Sequence, residues 1–271
     1  GTRDLLAYLL KARRLILHER PVTVVLLGAQ LAMMRLLPMA TPVALYWNEH
    51  PTHIFHGGRF GRVSRAISAA LVALSFAAAR RADLVMPIGE AHRDDLAAHG
   101  VDPGRVRMLY MGAADRFEID RAGRAHEAGS PELSLIYTGT VAAERGRDVM
   151  LDGLALARSR GIRCRLTIVG ATDDQRRYCE RRGEELGLGA SLTVVGRVPG
   201  DAIPNLLAEA DAGICAWEDR IWWRFNPPTK LFEYLVAGLP VLASRIRTHT
   251  LYLEEGRNGL TFDYDAASLA D

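Results

Sequence analysis

Two prolines followed by Thr229, Lys230 and, one turn on, Glu233 form the segment best equipped for chemistry in this 271-residue sequence. Pro227 and Pro228 stop any preceding element, and Thr229 reads as the cap that opens a helix. Lys230 and Glu233 then lie at i and i+3 on one side of that helix. Near the positive end of the helix dipole a cation and exposed amides can hold phosphate, while the carboxylate accepts from sugar or ribose hydroxyls. The plainer reading is a surface ion pair, worth only about 0.2–0.5 kcal/mol. The prolines, the cap and the apolar strand after Gly238 make this segment far more specific than such a pair. A second loop, Thr138 to Gly146, offers Gly139 for close backbone approach. Its Arg145-Gly146 stands just before a helix, a fork of charged donors that suits a diphosphate. Alone, Gly and Arg at such a turn are ordinary turn chemistry.

The elements that must position these loops follow from periodicity. In the second half, strands are expected at Leu133–Tyr137, Cys164–Val169, Leu192–Val195, Ala212–Ala216 and Pro240–Ala243. Helices at Arg147–Arg160, Asp173–Leu186, Ala202–Ala210 and Thr229–Ala237 alternate with them, which predicts right-handed βαβ units and a doubly wound sheet. The first half repeats the theme. An amphipathic helix over Leu5–Leu17 leads to strand runs at Val22–Leu27, Val43–Trp47, Ala82–Pro87 and Val106–Leu109, with helices at Ala66–Ala79 and Glu90–His99. Between Asp120 and Glu132 apolar periodicity disappears, so the sequence divides into residues 1–120, a linker 121–130 and residues 131–271. Ligands of open parallel sheets bind beyond the carboxyl ends of the strands, which selects the loops after Tyr137, Val169, Val195 and Ala216.

Composition sets the outer limits. With 34 Lys and Arg against 32 Asp and Glu, the net charge of +2 does not call for nucleic acid as a partner. Basic residues do cluster in the first third (Lys11, Arg13, Arg14, Arg59, Arg62, Arg65, Arg80 and Arg81), either as a solvated face or toward an anionic membrane surface. Cys164, Cys179 and Cys215 fit no metal or Cys-x-x-Cys spacing, which points to a reducing compartment. The longest small-apolar run, Ala66–Ala79, is shorter than the roughly 20 residues a membrane span needs. The opening residues lack a signal-peptide layout, so a cytoplasmic protein is expected, peripheral on the inner face of the membrane if it binds lipid.

The run Pro228-Thr229-Lys230-Leu231-Phe232-Glu233-Tyr234, with Gly238-Leu239-Pro240-Val241 after it, resembles the donor-site signature of family 4 glycosyltransferases, also termed glycosyl transferases group 1. Tyr137-Thr138-Gly139-Thr140 with Glu144-Arg145-Gly146 resembles their Tyr-x-Gly…Lys-Gly loop, and Gly196-Arg197-Val198-Pro199 their nucleobase loop. Asp83–Glu90 with Leu109–Phe117 is similar to the end of their first domain. The resemblance runs from about Val43 to Phe262. It implies an α/β GT-B fold, with two Rossmann-like parallel-sheet domains facing across a cleft. It also implies a retaining transferase that moves a sugar from a nucleoside diphosphate to a glycan or lipid-linked acceptor of the cell-envelope polysaccharide kind.

Carried over residue by residue, the resemblance gives Glu233 the donor ribose. Arg145 and Lys230 would take the diphosphate, together with Gly139 and the amides at Thr229 and Lys230, and the backbone at Arg197 and Val198 would meet the base. His50 stands near a histidine that faces the transferred sugar, with Glu49 and His53 as rivals. The sequence departs from the pattern at Phe225, where an acid would stand eight residues before Glu233, and at Thr140 after Gly139. No cofactor and no metal are expected. Two other readings are a nucleotide-sugar epimerase of the same architecture and a catalytically silent GT-B partner protein; a dinucleotide oxidoreductase lacks its Gly-x-Gly-x-x-Gly. The resemblance further implies a chain incomplete at both ends, with residues 1–120 less stable than 131–271.

Overall fold

Short apolar runs become strands, and the helices between them return the chain to the same edge, so every strand pairing among the described residues is parallel. The computed structural model describes residues 2–38, 40–55, 61–120 and 132–271. They form two compact units, Gly1–Met111 with Arg224–Asn226, and Gly112–Trp223 with Pro227–Asp271.

The first unit runs α1 (Thr2–Glu19), β1 (Val24–Leu27), α2 (Ala29–Ala32), β2 (Val43–Trp47), α3 (Pro51–Ile54), α4 (Gly61–Arg81), β3 (Leu84–Pro87) and α5 (Glu90–Ala98). Its three strands lie in the order β1-β2-β3, with Val24 opposite Val43 and Leu45 opposite Val85. Met34, Leu45, Trp47, Phe76 and Leu96 are buried together against this sheet. Helix α5 ends as its sequence implies: Gly100 takes φ 78°, its N–H donates to Ala97 C=O at 2.9 Å, and Val101 N–H donates to Leu96 C=O at 3.0 Å.

One expected strand is absent. Val106 makes a single bridge to Val85, and the Arg107 and Leu109 N–H groups donate to the Val85 and Pro87 carbonyls, but no strand develops over Val106–Leu109. Leu109 and Tyr110 are exposed, and among the described residues no further strand pairs with this segment to extend the ladder. The short helices α2 and α3 were invisible to periodicity because four residues make barely one turn.

The second unit opens with β4 (Leu133–Thr138), α6 (Arg147–Ser159), β5 (Cys164–Ala171), α7 (Asp173–Glu185), β6 (Leu192–Gly196) and α8 (Ile203–Ala208). It continues through β7 (Ala212–Cys215), α9 (Thr229–Val236), β8 (Val241–Ser244), α10 (Arg247–Thr250), β9 (Gly259–Phe262) and α11 (Ala266–Ala270). The strands stand in the order β6-β5-β4-β7-β8-β9. The chain therefore winds outward from β4 in one direction, returns beside it at β7, and winds outward in the other. That reversal is the doubly wound pattern, and it opens a crevice where β4 and β7 diverge. Both faces of β4 are covered: Leu135 and Tyr137 enter the core shared with α6, while Ile136 enters the one shared with α9. Thr172 and Gln175 close a capping box at the start of α7, and Asp265 caps α11 through Ser268 N–H at 2.8 Å.

Residues 112–120 belong with the second unit, although composition assigns them to the first; Phe117 is buried there, with Ala113 and Ile119 packed beside the same cluster. The expected linker 121–130 lies outside the described residues.

Two predictions follow from these cores. The β1 strand leaves Val25 and Leu27 more than half exposed, whereas β4, at the centre of the six-stranded sheet, is covered on both faces. Backbone amides of β1 should exchange with deuterium well before those of β4, β5 and β7, and equal protection would contradict that ordering. The second prediction concerns His92 and His249, both completely buried. Burial, aided by the neighbouring His50, lowers the His92 pKa from 6.5 to about 3; burial, aided by Lys230, lowers that of His249 to about 4. Each ring is held neutral, so its contribution is full above about pH 6.5 and is lost as pH falls from there toward 4 and 3. For His249 that is on the order of 3 kcal/mol. The melting temperature should drop between pH 6.5 and 4, and a flat profile over that range would contradict it.

Candidate functional site

Helix α9 buries a stripe made of Lys230, Leu231, Tyr234 and Ala237, so the lysine shares the inward face with its i+4 neighbour. Tyr234 fixes the helix on the sheet: its hydroxyl accepts from Thr138 N–H at 2.8 Å and lies 3.0 Å from Thr138 Oγ1. Gly213 on β7 makes room for that ring, since a Cβ there would stand 2.4 Å from Tyr234. One turn back, Lys230 Nζ rests 3.5 Å from the centroid of the Tyr137 ring. Tyr137 is itself pinned, donating from its hydroxyl to Thr140 C=O at 2.6 Å. Gly139 turns away from β4 with φ 116°, and a Cβ on it would lie 3.3 Å from Lys230 Nζ. The glycine therefore serves two needs, a left-handed turn and space for the ammonium group.

Lys230 is 6% exposed, and its Nζ has no hydrogen-bond partner among the described residues. Burial, reinforced by the charge of Arg145, lowers its pKa from 10.5 to about 7, against the opposing pull of Cys215 and Glu233. A buried amine with three unused donors is an anion site that nothing in this unit fills. Glu233, half-buried one turn on, has its carboxyl pushed up by burial, with Lys230 and Arg116 pulling the other way.

Arg145 ends a short 3-10 turn, and its guanidinium lies over the rings of Trp217 and Trp223. Gly146 follows at φ 79°, where a Cβ would overlap Ala216, and its N–H reaches the Tyr264 hydroxyl at 3.1 Å. Thr229 does not cap α9 as expected. Pro228 holds the cap position without a side-chain bond, and Thr229 is the exposed first helical residue. The proline fixes the extended cap backbone by itself, and helix geometry leaves the first-turn N–H groups without intrahelical acceptors.

Gly139, Arg197 and Val198 come together as walls of one pocket of about 340 Å³, with Thr140, Gly170 and Gln175. Lys230 adjoins it through Gly139. The structure thus brings Gly139, Lys230, Arg197 and Val198 into one neighbourhood. Arg145 and Glu233 join it through their electrostatic influence on Lys230.

His50 belongs to the first unit and is built into a closed arrangement. It caps α3, its Nδ1 sits 2.6 Å from Thr52 Oγ1, and its Nε2 sits 3.1 Å from Asp95 Oδ2. One ring face stacks on Phe225 at 4.2 Å, and the residue is 4% exposed. Phe225, the residue at the expected acid position, therefore covers the histidine. Beside it Asn226 Oδ1 accepts from His50 N–H at 3.0 Å and lies 2.8 Å from His92 Nε2. The rivals Glu49 and His53 hydrogen-bond to each other. The tryptophans around Arg145 were missed at the sequence level. Their signal was there to read, since three of the four tryptophans in the chain fall between Trp217 and Trp223.

Comparison with known proteins now bears on this geometry. No curated protein matches the chain by sequence. Among solved structures, the chain superposes on sucrose-phosphate synthase from Thermosynechococcus elongatus with a TM-score of 0.72 and 16% identity, over 99% of this chain and 67% of that one. For WaaG, a glycosyltransferase involved in lipopolysaccharide biosynthesis, the TM-score is 0.68 at 17% identity, over 96% of this chain and 70% of that one. Anabaena HepE in complex with UDP and glucose gives 0.62 at 18% identity, over 85% of this chain and 60% of that one. The chain thus spans about three fifths to two thirds of the length of HepE and the synthase, and the shared fold is the α/β parallel-sheet fold of GT-B glycosyltransferases. The family model described as glycosyl transferases group 1 matches residues 132–271, just over half of the chain. Gly139, Arg145, Lys230 and Glu233 all fall inside that match, and the chain belongs to the glycosyl transferases group 1 family.

Proposed function

We propose that the protein transfers a sugar from a nucleoside-diphosphate donor to a glycan or lipid-linked acceptor, with retention at the anomeric carbon. The single observation that carries this reading is the Lys230 ammonium, buried without an anionic partner at the crevice between β4 and β7. A diphosphate is the anion whose charge and oxygen count match Lys230 and Arg145 together. The base then lies in the pocket at Arg197 and Val198, and Glu233 accepts from ribose hydroxyls. HepE, which is similar in fold, has been solved in complex with UDP and glucose, and this supports UDP as the first donor nucleotide to try.

As the bond from the anomeric carbon to the diphosphate oxygen breaks, negative charge grows on the leaving group. Lys230 and Arg145 stabilise that charge more than they stabilise the intact donor, which is how fixed cations lower a barrier. His50, with both ring nitrogens engaged, acts in this reading as a positioning residue for the turn at Pro51. Product analysis with an α-linked donor reads the anomeric outcome directly, and an inverted product would remove the retaining assignment.

Lys230→Ala and Arg145→Ala should each lower kcat/KM for the donor by about tenfold to 150-fold, from the roughly 1.5–3 kcal/mol of a charged hydrogen bond to phosphate. Neither variant should melt more than a few degrees below the wild type, since Lys230→Ala removes a buried amine whose burial opposes its charge, and wild-type rates in both would remove the site. The groups around Lys230 also set a pH dependence. With Arg145 beside it, Cys215 buried and neutral, and Glu233 one turn away, the amine is half neutral near pH 7 in the empty site. Donor binding requires the charged form, so affinity should weaken as pH rises above 7, approaching about tenfold per unit. In Lys230→Ala this slope should vanish.

The first unit supplies the proposed membrane contact. Helix α1 exposes Tyr8, Leu10, Leu15 and Leu17 beside exposed Lys11 and Arg14, a mixture suited to an anionic lipid surface. No helix among the described residues is long and apolar enough to cross a membrane. The protein should sediment with anionic vesicles and be released as salt rises, since such attraction is screened within about 10 Å at 0.1 M. Equal binding to neutral vesicles would contradict this.

A further inference from the structure

Arg145 differs from its arginine neighbours in what neutralises it. Arg147 pairs with Asp148 at 2.9 Å and Arg220 with Glu218 at 2.7 Å, whereas no carboxylate pairs with Arg145 among the described residues. Its guanidinium carbon lies 5.1 Å from the Trp217 ring centroid and 5.6 Å from that of Trp223. The two indoles are 5.0 Å apart, tilted by 32°, and only 5% and 4% exposed.

Both residues are held through their backbones. The Trp217 backbone N–H donates to Ser244 Oγ at 2.9 Å, and the same hydroxyl donates back to the Trp217 backbone C=O at 2.8 Å. Trp223 C=O accepts from the Thr248 hydroxyl, and His249 packs its ring 5.7 Å from Trp217. Such a platform does for a cation what a carboxylate cannot. A ring face attracts the guanidinium through its quadrupole, yet offers no oxygen to consume the N–H donors and no charge to cancel the positive one.

We infer that Trp217 and Trp223 are positioning residues for Arg145, holding its guanidinium in place with its charge and donors available to a nucleoside diphosphate. The inference rests on the donor reading above. It adds residues that touch no substrate and act only through Arg145.

Titration of UDP, GDP and ADP, each separately, into the wild-type protein and its variants tests this. Trp217→Leu and Trp223→Leu should weaken binding about threefold to thirtyfold, the range of a cation–π contact converted to affinity. Trp217→Phe should retain most of it. Combined with Arg145→Met, neither tryptophan change should weaken binding further, because the indoles then have nothing to hold. Because both rings are buried, a second measurement leaves the fold untouched: fluorinated tryptophan, incorporated throughout, drains charge from the ring faces with little change in shape. Binding should weaken with each added fluorine in the wild-type background and not respond in Arg145→Met. Losses that add to that of Arg145→Met, or fluorination effects equal in both backgrounds, overturn the inference while leaving the donor site standing. Wild-type affinity in Arg145→Met, or no binding of any of the three nucleotides, overturns the donor reading and the inference with it.

Discussion

An ammonium group in a dry site costs free energy unless an opposite charge meets it, and at Lys230 the described residues supply the face of Tyr137 and the pull of Glu233 but no hydrogen-bond acceptor. The lowering of its pKa from 10.5 to about 7 corresponds to about 5 kcal/mol against the charged form. That is larger than the net worth of any single hydrogen bond in the surrounding loops. Gly139 withholds a side chain to admit the amine, Tyr137 is tied down by Thr140, and Tyr234 anchors the helix that carries the lysine. In the proposed function, an arriving diphosphate is what offsets that cost.

The same economy of partners extends outward. The two indoles beside Arg145 attract without neutralising, and Ser244 and Thr248 tie down their backbone carbonyls from a neighbouring strand and helix. The reversal of winding between β4 and β7 is what makes this possible, because only there do two strand ends diverge and leave a crevice into which α9 can point its first turn.

Alternation of apolar runs with helices made the second sheet legible before any coordinates, and element bounds such as Val43–Trp47 appear as expected. What alternation does not encode is which strands become neighbours; the return of the chain beside β4 is set by packing between residues far apart in sequence, such as Tyr234 against Thr138. For the same reason the i,i+3 spacing of Lys230 and Glu233 was readable but the burial of the lysine was not, since its pocket is built by Tyr137 and Gly139, more than 90 positions away. Thr229 was read as a cap because threonine favours that position, whereas Pro228 imposes the required backbone directly. Stacking between His50 and Phe225 joins residues 175 positions apart, and no local pattern announces it.

Cys164, Cys179 and Cys215 are all buried, and burial raises each thiol above its usual range, to about 11 for Cys179 and about 12 for Cys215. Since the thiolate is the species that attacks, these three positions resist maleimides and oxidants at neutral pH. The native chain is therefore already a blank background for site-directed labelling. A single cysteine introduced at an exposed helix position, for instance Asp174→Cys, becomes the one fast-reacting handle for a fluorophore or spin label, with no need to strip out the cysteines that pack the sheet.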